Sequence, residues 1–125
     1  MAIRLDHTIV PAKDKVAAAE FFADIFGLTI KPGQGYFAQV QVNESLTLDF
    51  ADDPAPPSHH YAFHMSEAEF EAIFSRAQAR GIPYGSEPYN RTNAQLYTRR
   101  GGRGFYFDDP NGHVLEVMTV PETGS

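Results

Sequence analysis

The chain repeats itself. Laid on each other, "HTIVPAKD" and "HYAFHMSE" both run from a histidine through strand-like residues into a helix, and "LTLDFAD" and "VLEVMT" both end a unit on a strand with a carboxylate set among apolar residues. His7 then falls on His60, and Asp49 on Glu116. A tandem repeat constrains the fold more tightly than composition does, because two short units of the same make must each bury one face of the same small set of elements.

The order of elements within each unit follows from periodicity. "AIRLDHTIV" alternates Ile3, Leu5, His7 and Ile9 on one face with Arg4, Asp6 and Thr8 on the other, the period of a strand. "KDKVAAAEFFADIFG" places Ala18, Phe22 and Ile25 at helical spacing, with Gly27 where a C-cap belongs. "YFAQVQVN" and "SLTLDFAD" read as two strands around Asn43-Glu44, and "LTIKPGQG" before them as a third short strand and loop. The first half is therefore expected to be βαβββ. The stiff connector "DDPAPPS", residues 52 to 58, continues neither element. The pattern then restarts with the strand "HHYAFHM", a capping box between Ser66 and Glu69, a stripe of Phe70, Ile73, Phe74 and Ala77, and Gly81 as a stop. "IPYGSEPY", "QLYTRR", "GFYFDDP" and "HVLEVMT" follow as strand candidates. The expected fold is α+β: one domain over residues 1–125, with module one at 1–53, a linker at 54–58 and module two at 59–120.

Several functions are disfavoured by composition. With 125 residues and no cysteine, the chain has no thiolate ligands, thiol nucleophile or disulfides, so any metal must use imidazole or oxygen. A net charge of -6 and the lack of a Lys/Arg block interleaved with aromatics argue against nucleic acid. The N-terminus has no apolar leader segment and no run is long enough to span a bilayer, so a cytoplasmic protein with no membrane partner is expected.

Glu116, set between Leu115 and Val117, is the residue that asks for an explanation. Desolvating a lone carboxylate is costly, so it must face water, pair with a cation or bind a metal. Taken singly, a strand histidine or glutamate is more often a hydrogen-bonded or solvated side chain. At repeat-equivalent positions, however, a pseudo-twofold packing of the halves would bring His7, Asp49, His60 and Glu116 together.

The chain resembles the vicinal oxygen chelate superfamily of glyoxalases, bleomycin-resistance proteins and extradiol dioxygenases over nearly its whole length. "LDHTIV" leading to "AEFFADIFGL" is similar to that family's His-strand and first helix, and "FYFDDPNGHVLEV" to its Tyr-Phe-x-Asp-Pro-x-Gly-x-x-x-Glu stretch. The resemblance implies two βαβββ modules as curved mixed sheets around a metal and ligand cleft. It also implies His7, His60 and Glu116 as ligands of one divalent ion, whose open positions take two vicinal oxygens of a small-molecule substrate. Zn, Fe, Mn, Ni and Co all suit such donors. A homodimer is the expected assembly, since modules of this kind leave sheet edges to cover.

Asp49 is either a fourth ligand or an orienting group, while His64, on the face of His60, is a general-base candidate beside Tyr106. His59 points the other way and His113 lies in a Pro-Asn-Gly turn, so both are expected at the surface. Where dioxygenases of the family place an acid-base His upstream of their conserved Tyr, this chain has Tyr97, Thr98 and Arg99, which disfavours ring cleavage. Pro11 and Asp53 stand where glyoxalase I holds glutathione, which disfavours that substrate too. Arg99, Arg100 and Arg103 in "TRRGGRG", read as one basic, glycine-rich loop, form a candidate anion receptor, with Phe37, Tyr61, Phe63 and Tyr106 as apolar walls. The expected function is that of a small metalloenzyme; the alternative is a metal-free protein of bleomycin-resistance type that sequesters its ligand.

Overall fold

The computed structural model describes residues 3–32 and 35–121. It divides into two compact units, Met1–Pro57 and Ser58–Ser125. No described helix is long and apolar enough to cross a membrane.

The first unit holds β1 (His7–Ala12), α1 (Lys15–Phe26), β2 (Ala38–Gln41) and β3 (Thr47–Asp52). Its sheet has the order β1-β3-β2, with β1 parallel and β2 antiparallel to the central β3. Asp14 starts α1 by accepting from the backbone N–H groups of Val16 and Ala17, and Gly27 ends it at φ 71°, a left-handed conformation that costs glycine least. The small residues Ala18, Ala19 and Ala23 are buried with Phe22 and Ile25, as are Val10, Val40, Leu48 and Phe50 from one side of the sheet.

The second unit holds β4 (His60–His64), α2 (Glu67–Ala79), β5 (Tyr97–Arg99), β6 (Gly102–Asp108) and β7 (Val114–Met118), ordered β4-β7-β6-β5 with β4 parallel to β7. The capping box forms as expected: the Ser66 hydroxyl accepts from the Glu69 N–H, and the Glu69 side chain accepts from the Ser66 N–H. Phe70 and Phe74 of α2 pack against Phe105 of β6, with ring centroids 5.5 and 5.3 Å apart, and Tyr84 closes the cluster. Phe70 and Phe105 are fully buried there, with Ile73, Phe107, Leu115 and Val117 completing the apolar core of the unit.

The strand expected after each helix is reduced to a single bridge: Ile30 to Val40 in the first unit and Gly85 to Tyr106 in the second. Proline explains the shortening. Pro32 follows Ile30 closely, and Pro83 and Pro88 flank Gly85, so ladder donors are missing where a strand would continue. Of the expected "LTIKPGQG" loop, Gly33 and Gln34 lie outside the described residues.

The register makes the repeat physical. His7 is partnered by Thr47 on the neighbouring parallel strand, and Asp49 lies two residues on; His60 is partnered by Val114, and Glu116 lies two residues on. On the antiparallel side Gln39 is opposite Asp49, and Tyr106 is opposite Glu116. Period-two alternation therefore puts each histidine and its carboxylate on one sheet face, turned away from the residues that pack on the helix.

Candidate functional site

Glu116 is buried, at 4% exposure, and its two oxygens have different partners. His60 Nε2 lies 3.1 Å from Oε1, and the Tyr97 hydroxyl donates to Oε2 at 2.5 Å. Among the described residues no buried side-chain nitrogen or oxygen lacks a partner, so the carboxylate is tolerated in an apolar strand because it is tied down at both ends. Tyr106 stands across the ladder, its ring 5.8 Å from that of His60 and 5.6 Å from that of Tyr97. Arg99 packs its guanidinium 4.6 Å from the centre of the Tyr97 ring, and its charge also acts on Tyr106.

Burial pushes the Tyr97 phenol far above its ordinary range, and the hydrogen bond to Glu116 adds to the shift, so its proton stays in place as a donor at any physiological pH. Tyr106 is also raised, by burial first and then by the Glu116 charge, against the opposing pull of Arg99. Gly104 makes the Tyr97 position available. A Cβ there would lie 2.4 Å from the Tyr97 Cζ, so only glycine lets the phenol cross this strand to reach Glu116.

In the first unit, His7 Nδ1 pairs with Asp6 Oδ2 at 2.8 Å, an arrangement that raises the imidazole pKa and leaves Nε2 as the nitrogen for a ligand. Asp49, also buried, accepts from Gln39 Nε2 at 2.9 Å. His7, Asp49, Thr8, Ile9 and Phe37 line one open depression. Among the described residues no group of three or more His, Asp or Glu side chains is placed to hold a metal ion.

The remaining expectations divide by sheet face. His64 shares the face of His60 and Glu116 and is exposed at the end of β4, opposite Met118. Tyr61 and Phe63 alternate with the histidines and turn to the helix side, so neither forms a wall beside Glu116. His113 is fully buried rather than at the surface: its turn folds back so that Nδ1 accepts the His59 N–H, with the two rings stacked 5.6 Å apart. His59 is exposed.

"TRRGGRG" is a β-hairpin, not a basic loop, and its turn scatters the arginines. Only Arg99 lies beside Tyr106 and Glu116. Arg100 sits in the turn at φ 50° and donates to the Pro121 carbonyl. Arg103 faces α2, pairing with Glu67 at 3.0 Å and with Glu71, its guanidinium 4.7 Å from the centre of the Phe70 ring. Arg103→Gln should accordingly lower stability by no more than about 1 kcal/mol, since these pairs are solvated. It should leave metal content at the wild-type level, which elemental analysis and thermal melts would check.

Two partners were not singled out from sequence, Tyr97 and Gln39. Pairing "QLYTRR" with "GRGFYF" as a hairpin sets Tyr97 opposite Gly104, and that is the signal that would have found the first.

A model of the Glyoxalase/Bleomycin resistance protein/Dioxygenase superfamily matches residues 4–117. Glutathione transferase FosA of Serratia marcescens is 27% identical over 120 residues, covering 90% of this chain and 78% of that protein. The solved structure of oxidase ChaP-H2 is 45% identical with a TM-score of 0.91, covering 97% of this chain and 96% of that one. Oxidase ChaP-H1 is 43% identical, also at 0.91, covering 98% and 100%. The fosfomycin resistance protein FosX of Listeria monocytogenes, 19% identical with a TM-score of 0.74 and covering 99% and 98%, shares the fold.

Proposed function

The chain belongs to the glyoxalase/bleomycin resistance protein/dioxygenase superfamily, and from that premise we propose that it is a divalent-metal-dependent oxidase of a small molecule gripped through two neighbouring oxygens. His7, His60 and Glu116 are its proposed ligands. The observation that carries this reading is the 3.1 Å approach of His60 Nε2 to Glu116 Oε1. Two donors bound at right angles to one ion, each at about 2.1 Å, are separated by roughly 3.0 Å, so this pair has the spacing of neighbouring metal ligands. The names of the two oxidases, at more than 40% identity, favour oxidation over glutathione transfer.

A bound ion supplies Lewis acidity toward the substrate's two oxygens and, if redox-active, a path for electrons to dioxygen, which favours Fe, Mn, Co or Ni over Zn. The chain's own residues do the rest. Asp6 holds the His7 ring by Nδ1; Tyr97 holds Glu116 by Oε2, leaving Oε1 and the His60 nitrogen side by side. Tyr106, kept protonated, is placed to donate to a substrate oxygen, with Arg99 balancing charge that develops there. His64 is the proposed base for a substrate hydroxyl. Asp49, oriented by Gln39, either steadies His7 electrostatically or accepts a second proton.

Protein purified without a histidine tag should carry about one divalent ion per proposed site, and that ion should be required for oxygen uptake with a panel of catechols and α-hydroxyketones. A metal-free protein that binds such compounds without turning them over is instead the ligand-sequestering alternative. The proposed assembly is a homodimer, because β1 and β4 each stand at an edge of their sheet with no further strand paired to them among the described residues. Sedimentation as a strict monomer at high micromolar concentration would remove that part of the reading alone.

A further inference from the structure

A cavity of about 250 Å³ in the first unit has no part in the ligand set. Val16, Ile30, Pro32 and Phe37 form its apolar walls, and Lys15 and Lys31 are also among the residues that line it. The protein is acidic overall, yet among the described residues neither lysine forms an ion pair with a carboxylate, whereas Arg91 and Arg103 do. Lys15 is moreover the first residue of α1, where the helix dipole disfavours a cation. Its Nζ is held in place by the Tyr36 carbonyl at 2.6 Å, and Lys31 is fixed by its backbone N–H bonding the Gln39 carbonyl at 2.8 Å.

The cavity also touches the proposed chemistry. Phe37 lines both it and the depression of His7 and Asp49, and Gln39 lines it while donating to Asp49. We propose that this cavity is the substrate's anchoring subsite, taking a flat apolar ring system whose anionic group pairs with Lys15 and Lys31 while its body lies along Phe37 toward His7. This deepens the oxidase reading and rests on it for the identity of the ligand as substrate. The anionic substrate expected from sequence is thereby kept, with its receptor moved from the arginine hairpin to two lysines of the first unit. Paired cations beside an apolar wall select a carboxylate or phenolate on a hydrophobic body over either feature alone.

The probe is 2-naphthoate, with neutral 2-naphthylmethanol as its uncharged counterpart, titrated calorimetrically into the full chain before and after metal removal. 2-Naphthoate should bind the metal-free protein, and Lys15→Gln/Lys31→Gln should weaken it at least about 10-fold and flatten its salt dependence. Affinity for 2-naphthylmethanol should be unchanged in that variant, and Phe37→Ala should weaken both probes. Circular dichroism confirms that each variant is folded. Equal 2-naphthoate affinity in wild type and the lysine variant, or binding that appears only in the metal-loaded protein, overturns the subsite. Metal content is read separately: a protein that takes 2-naphthoate through the lysines but never takes an ion retains the subsite and loses the oxidase.

Discussion

Glu116→Gln should cut divalent-ion affinity by about 100-fold or more while leaving the circular dichroism of the protein unchanged. The substitution keeps the volume and an acceptor for the Tyr97 hydroxyl, so the second unit has no packing reason to rearrange. What it removes is the charge. A neutral amide oxygen is a weak donor to a divalent ion, and the remaining imidazoles cannot compensate electrostatically. Removing a group that only orients the ligand should cost less, about 10- to 100-fold for Tyr97→Phe, because Glu116 stays charged but loses the partner of Oε2. His60→Ala should resemble Glu116→Gln and His59→Ala should resemble wild type, since the two histidines lie on opposite sheet faces. Isothermal titration with Mn²⁺ and Co²⁺ would rank the variants. Wild-type affinity in Glu116→Gln would end the metal reading for this residue, and loss in His59→Ala with retention in His60→Ala would mean that the ligand face of β4 had been misassigned.

How far these residues were legible in the sequence depended on whether the controlling interaction was local and periodic. Strand alternation placed His64 on the face of His60, and the repeat paired each histidine with a carboxylate; that Glu116 and Tyr106 share that face follows only from the registers of β4 with β7 and of β6 with β7. In "TRRGGRG", alternation alone keeps Arg99 and Arg103 in phase, four residues apart; it is the two-residue turn at Arg100-Gly101, pairing Arg99 with Gly102, that turns them to opposite faces, and reading the stretch as a loop concealed that turn. His113 was misplaced because a turn residue looks solvated until the turn folds back against the His59 backbone. The shortened strands around Ile30 and Gly85 escaped because their apolar residues promised a ladder that the nearby prolines cannot complete. Tyr97 and the lysine cavity were beyond local reading, since each depends on what a glycine or a neighbouring strand leaves open.

That dependence can be tested at Gly104, where the second large effect is expected. An added Cβ meets two obstacles of different kinds: the Tyr97 ring carbon Cζ at 2.4 Å, which can swing away, and the Val117 carbonyl oxygen at 2.6 Å, which belongs to the paired strand β7 and cannot. Gly104→Ala should therefore destabilise the protein by about 1–3 kcal/mol through overpacking. At roughly 4 °C per kcal/mol for a chain of this size, that loss is easily read in a thermal melt. It should also lower metal affinity about as much as Tyr97→Phe does, because the displaced phenol no longer reaches Oε2. The two losses separate in the double variant: with Tyr97→Ala already in place, Gly104→Ala keeps only the backbone part of its stability cost and adds nothing further to the loss of metal affinity. If instead Gly104→Ala weakened the ion equally with or without the Tyr97 ring, the effect would be transmitted through β7 itself, and Tyr97 would be a bystander rather than the group that positions Glu116.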